Sequence, residues 1–205
     1  MKSAAMKNAA MKNAAMTNYV RALAVMIAGL LLGFAMTAVS LGLGRGFGAL
    51  HAGPWTAWPR HGGADIDPYA RAVLARSGEA PLGRDEGLAF FAHADSSGAP
   101  LDGRCDYRVA DTTPAARFWT LGAASAAGRL IDNPAARHAF TSSEIARREG
   151  GAFEIEIGAQ ARPGNWLPVA REPFVLVLRL YDTPLDVESA PDPATFPKIV
   201  KLHCA

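Results

Sequence analysis

The pattern of apolar and polar positions changes character near residue 50. From Ala22 to Leu43 there are 22 consecutive uncharged residues, among them Leu30, Leu31, Leu32, Phe34 and Val39. At 1.5 Å per residue, a helix of that length covers about 33 Å, enough for the hydrocarbon core of a bilayer. The pattern predicts a single transmembrane helix over 22–43, fenced by Arg21 and Arg45. The alternative is a cleaved signal peptide, and Ala38-Val39-Ser40 has the small-x-small form of a cleavage site. Signal peptides, however, normally carry an apolar stretch of only about 7–15 residues, so the length favours an uncleaved anchor.

Beyond the helix the period shortens. Residues 44–64 are rich in Gly and Pro and read as an exit linker. Asp67-Pro68 followed by Tyr69–Arg76 predicts a short capped helix, with Asp67 as cap, Pro68 at the first helical position and Ser77-Gly78 at its end. Leu88–His93 is a short apolar run backed by the turn cluster Asp95–Pro100, and Cys105–Val109 alternates. Phe118–Leu121 and Arg129–Ile131 flank a turn at Ala127-Gly128, as in a hairpin. Ser142–Arg148 predicts one more helical turn capped by Ser142. Phe153–Ile157 alternates apolar and acidic residues, and Phe174–Tyr181 (FVLVLRLY) is apolar on both faces, which predicts a central strand. Many short strands between Gly, Pro, Asp and Asn turns describe a mainly β domain, a sandwich or barrel, over 65–205.

Charge follows the same division. Residues 1–50 carry +5 and no acid, whereas 51–205 carry −3, so the basic balance of the whole chain lies beside the apolar helix. A nucleic-acid binder would concentrate positive charge on its folded domain, and that partner class is disfavoured. Lys2, Lys7, Lys12 and Arg21 precede the helix, while Arg45 and Arg60 are the nearest basic residues after it. The positive-inside rule therefore predicts a cytoplasmic N-terminal tail (1–21), passage through the inner membrane, and a periplasmic domain. The tail is a five-residue tandem repeat with Met at 1, 6, 11 and 16, any of which can serve as the start. A start at Met16 weakens the charge asymmetry without reversing it.

The stretches Gly53-Pro54-Trp55, Asp67–Ala72, Gly103-Arg104-Cys105-Asp106-Tyr107, Ala116–Leu121, Gly164-Asn165-Trp166-Leu167-Pro168 and Leu178–Pro184 occur in this order. Together they resemble the short, membrane-anchored bacterial members of the family called domain of unknown function 1214, over about residues 51–204. GNWLP followed by LRLY is the most specific part. The resemblance implies a jelly-roll-like β-sandwich and implies no reaction or cofactor.

Catalytic motifs are sparse. No Gly-x-Ser-x-Gly is present, and Ser125 lies in Ala-Ala-Ser-Ala-Ala, a strand end. His51, His61, His93, His138 and His203 are scattered without metal-ligand spacing. Asp95, Asp102 and Asp106 lack the regular spacing of a calcium loop, and turn chemistry accounts for them. Neither a catalytic nor a metal residue is assigned. The weak ligand candidates are Asn165, Trp166, Arg179 and Tyr181, since Trp and Tyr offer stacking faces while Arg and Asn offer planar hydrogen bonds. The competing structural reading has Trp166 plugging the core, Asn165 holding a turn and Arg179 pairing with an acid across strands. Two functions remain: non-catalytic binding of a polar ligand or an envelope protein, and an envelope enzyme, with hydrolysis the least strained reaction.

Cys105 and Cys204 are the only cysteines. An exported domain sits where disulfides persist, and an even count permits one bridge, which would pin the last strand to the sheet. The alternative is two unpaired thiols.

Overall fold

The computed structural model describes residues 2–42, 48–77, 80–186 and 188–204. The chain forms two compact units, 1–45 and 46–205.

The first unit is one helix, α1 (Lys2–Gly42), so the repeat expected as a tail is helical as well. Its Ala, Leu and Met content favours helix. The most apolar 18-residue stretch within Met16–Ser40 has a mean hydropathy of 2.3, and none of it is buried. By length and composition this segment can cross a membrane, and a signal sequence has the same appearance. No neighbour lies within 4 Å of the Cβ position of Gly29 or Gly33.

The second unit is a β-sandwich. The strands are β1 (Leu50–Ala52), β2 (Trp55–Ala57), β3 (Gly87–Ala92), β4 (Cys105–Asp111), β5 (Phe118–Ser125), β6 (Ala139–Thr141), β7 (Phe153–Gly158), β8 (Trp166–Pro168), β9 (Phe174–Tyr181) and β10 (Lys198–Cys204). The larger sheet has the order β1-β2-β3-β9-β5-β6 and the smaller β10-β4-β7-β8. Neighbouring strands are antiparallel except β7 and β8. Alternation drives the layering: Phe90, Leu121, Phe174, Leu176 and Leu178 from the large sheet share one core with Tyr107, Val109, Phe153, Ile155 and Ile157 from the small one. Tyr107 meets Phe174 edge-on at 5.7 Å, and Trp119 meets Phe153 at 4.9 Å. As predicted, β9 is central, between β3 and β5. Helix α2 (Pro68–Ser77) forms where expected, its Tyr69 and Ala70 amides donating to Asp67 Oδ1 at 3.0 and 2.9 Å. Its proposed terminator Gly78 lies outside the described residues.

Three local expectations change. Part of the expected linker, residues 50–57, is the hairpin β1–β2, turned at Gly53 with φ +60°. Trp55 is wholly buried and its Nε1–H donates to Pro197 O at 2.9 Å. Strands of three residues are too short for their alternation to be distinguished from a loop. The helical turn expected over Ser142–Arg148 is a single turn: the Glu144 and Ile145 amides return to Thr141 O, and a 3-10 turn comes next at Glu149–Gly151. Gly150 and Gly151, both with positive φ, stop any helix, while Ser142 Oγ accepts from the Trp119 amide instead of capping. The turn at Ala127-Gly128 exists, but its return strand shrinks to one bridge, Ala124–Leu130. The edge partner of β5 is β6, because Asn133 bonds Ile131 O, Arg137 O and the Arg137 amide and so holds the intervening loop.

Candidate functional site

The four ligand candidates do not meet. Arg179 and Tyr181 are on the β9 face that alternates with the core residues Leu178 and Leu180, that is, the outer face of the large sheet. Tyr181 packs on Phe118 at 5.7 Å. The cross-strand neighbours of Arg179 are Ala89 and Thr120, so the expected acid partner is absent there. Asn165 and Trp166 belong to the other sheet, at and just before its edge strand β8. Asn165 spends its amide on the fold: Oδ1 accepts from the Ala146 amide at 2.9 Å, and Nδ2 donates to Ala146 O at 2.8 Å and Glu154 O at 2.9 Å. Trp166 is half-buried beside Glu156 rather than plugging the core, and its Nε1–H donates to Gly158 O at 3.0 Å.

Polar groups converge elsewhere, at the end of the small sheet where Cys105 and Cys204 form the predicted disulfide. The two cysteines are cross-strand partners on β4 and β10, with Cα atoms 3.8 Å apart. A register shift between Lys201 and His203 adds one residue to β10 and leaves Leu202 unpaired. Such a bulge re-aims the side chains on its far side. Here it sets Cys204 opposite Cys105 and His203 opposite Asp106.

Asp106 is the centre of this cluster, with 18% of its side chain exposed. It accepts from Arg162 Nη2, and His203 Nε2 lies 3.0 Å from its Oδ2. A carboxylate can only accept, so the imidazole tautomer with a proton on Nε2 satisfies this pair. Gly158 makes room: a Cβ there would sit 2.2 Å from Asp106 Oδ1. A cavity of about 50 Å³ opens beside the pair, lined by Arg104, Asp106, Gln160, Arg162, Arg171 and His203 and closed by Gly103 and Ala159. Gly103 is pressed against the 170–172 segment, where a Cβ would lie 1.8 Å from Ala170 O, and its amide donates to Glu172 O. That close approach brings Arg104 and Arg171 to the same rim. Arg104 is already engaged, its Nε 3.1 Å from each carboxylate oxygen of Asp102. The Arg104 side-chain bonds and its amide hold the Asp102 carboxyl down to about 2.

The remaining acid of the three assigned to turn chemistry is used locally. Asp95, 3% exposed, accepts at Oδ1 from the Ser97 amide (2.9 Å), the Ser97 hydroxyl (2.6 Å) and the Ala99 amide (3.0 Å). Burial pushes its carboxyl up, and these bonds outweigh burial and hold it below the usual range. Ser96 ties the same turn to β10 through reciprocal bonds with Ile199, each 2.9 Å. Among the described residues no three His, Cys, Asp or Glu side chains are grouped for a metal ion. A second cavity, between Trp58, His61 and Phe91 on the outside of β3, holds only about 20 Å³. His61 stacks on Trp58 at 5.5 Å, and burial lowers its pKa against the opposing charge of Asp67.

Arg162, Arg171 and His203 were not singled out by sequence. The one signal was indirect: a Cys105–Cys204 bridge necessarily carries residue 203 toward residue 106.

Residues 86–185 match the family described as "Protein of unknown function (DUF1214)". The match covers most of the motifs on which the resemblance rests and begins after Gly53-Pro54-Trp55 and Asp67–Ala72. The fold resembles the crystal structure of the VPA0106 protein from Vibrio parahaemolyticus, with TM-score 0.54 and 23% identity over 68% of this chain. A putative uncharacterized protein from Burkholderia cenocepacia aligns with TM-score 0.44 and 17% identity over 82% of this chain. The chain spans 36% of the length of the first and 49% of the second. No curated protein matches it.

Proposed function

We propose that this chain, with its DUF1214 segment at 86–185, is a membrane-tethered binding domain. Residues 22–43 cross the inner membrane with the N-terminus in the cytoplasm. The β-sandwich works in the periplasm, where it holds a polar ligand, or an envelope protein, without chemical turnover. The apolar, uncovered segment Met16–Ser40 and the basic residues preceding it support the tether. The pairing of the only two cysteines suits an oxidising compartment.

The observation that carries the binding reading is the make-up of the cavity beside Asp106. Its side chains are mainly hydrogen-bond donors, no Ser or Thr hydroxyl lines it, and the adjacent cysteines are joined to each other. Its carboxylate is held by Arg162 and His203 rather than left free as a base. The His203–Asp106 pair is the specific feature that favours the second reading, a hydrolase, since a carboxylate-oriented imidazole is half of a general-base apparatus.

One experiment separates the two. The full chain in non-ionic detergent is equilibrated with a polar small-molecule extract of the envelope, recovered by gel filtration, and the retained compounds identified by mass spectrometry. Retention of an unchanged compound, lost in Arg162→Gln, is expected. Time-dependent consumption of a compound with appearance of its hydrolysis products would replace binding with catalysis.

A further inference from the structure

We infer that the cavity beside Asp106 is a site for a small oxyanion, a carboxylate or phosphate group on its ligand. This rests on the binding reading above and names the chemistry that the site takes. Three arginines face the cavity against one carboxylate, and of that excess of two cationic side chains Asp102, outside the lining, offsets one. Arginine offers five donors and no acceptor, and Gln160 adds two amide protons, so the lining has donors in excess. A neutral polyol can accept from them but brings no charge to balance the arginines. An oxyanion brings only acceptors, and planar guanidinium groups match its geometry.

The charges are not all spent internally. Arg104 is balanced by Asp102, and Arg162 has one terminal nitrogen on Asp106. Arg171 is exposed and makes no ion pair among the described residues. The volume of about 50 Å³ suits a single anionic group, with the rest of a ligand left outside. The site is built rather than incidental. Gly158 and Gly103 are the positions where any side chain would collide with Asp106 or with the Ala170 backbone, and the β10 bulge puts His203 in place.

The test uses the full chain in non-ionic detergent with its disulfide intact, titrated with inorganic phosphate, with acetate and with chloride at matched ionic strength. Binding is followed through the amide NMR signals of Gly103, Ala159 and Gln160. Saturable shifts with phosphate or acetate and not with chloride are expected, the stronger of the two telling phosphate from carboxylate recognition. Arg162→Gln is expected to weaken binding about tenfold, the size of one lost charge-assisted hydrogen bond. Arg171→Gln, which removes no ion pair from the fold, is expected to weaken it about threefold, and Arg129→Gln, on the turn after β5, to leave it unchanged. Equal shifts with chloride, or unweakened phosphate and acetate binding in both Arg162→Gln and Arg171→Gln, would overturn the inference. Saturable binding of glucose at the same signals with both anions silent would overturn the oxyanion class and leave the binding reading standing. Silence of phosphate, acetate and glucose alike on the folded protein, with no compound retained from the extract, would overturn both.

Discussion

Opening the Cys105–Cys204 bridge tests the largest single covalent constraint in the domain. The cysteines are 99 residues apart. In the chain-entropy treatment a cross-link closing about 100 residues stabilises the fold by roughly 4–5 kcal/mol, as an upper figure. For a domain of this size each kcal/mol moves the unfolding midpoint by about 2–4 °C, so reduction is expected to lower it by about 10–20 °C. Cys204 is exposed while Cys105 is 7% exposed, so a small reductant reaches the bridge from the Cys204 side. The assay is thermal unfolding of the full chain in detergent, followed by circular dichroism with and without reductant and repeated on Cys204→Ser, with alkylation and mass spectrometry to count free thiols. Hydrogen exchange adds position: amides of 200–204 are expected to lose protection first, because β10 is an edge strand whose last residues are exposed. A midpoint unchanged within about 3 °C, once both thiols are shown to be free, would refute the argument that the bridge constrains the unfolded chain.

Three further outcomes are expected. Asn165→Ala removes three hydrogen bonds, one of them half-buried, that hold the 146 turn to β7, and urea titration is expected to show a loss of about 1–3 kcal/mol, whereas a loss below about 0.5 kcal/mol would mean the clamp is dispensable. The Asp95 carboxyl lies below its ordinary value of 3.8 when folded, so its contribution is present above that pH and lost as pH falls through the lower folded value. Asp95→Asn is therefore expected to flatten the fall of stability below about pH 4 seen in the parent chain, and parallel acid limbs in the two proteins would contradict this. An alkaline phosphatase fused after residue 205 is expected to be active and a fluorescent protein that matures only in the cytoplasm to be dark, with the reverse pattern sinking the proposed orientation.

The large elements were readable because their signals are strong and local. FVLVLRLY declares a central strand whatever surrounds it, and Asp67-Pro68 marks a helix start by side-chain chemistry within three residues. The disulfide followed from a count of two and an inferred compartment. The errors fell where structure is set from far away. Trp55 and its hairpin are fixed by the core and by Pro197, 142 positions later in the chain. Ser142 looks like a cap until the Trp119 amide claims its hydroxyl. The site was least legible of all. Arg162, Arg171 and His203 come together only through a one-residue bulge and two glycine contacts, none of which leaves a periodic trace. The aromatic and planar side chains that looked like ligand groups were instead divided between the two sheets.

The pairing order has a consequence for how the domain is made. A chain emerges N-terminus first, and closing long loops slows folding. Here β3 waits for β9, β4 waits for β10, and Trp55 waits for Pro197. The large sheet cannot close until β9 is delivered, and the small sheet lacks its edge strand until β10 follows. Apolar runs such as Leu88–Ala92 stay uncovered for that whole interval. The halves of the large sheet, β1-β2-β3 and β5-β6, are thus joined only when β9 leaves the ribosome, so the first half of the domain has no stable resting place of its own during synthesis.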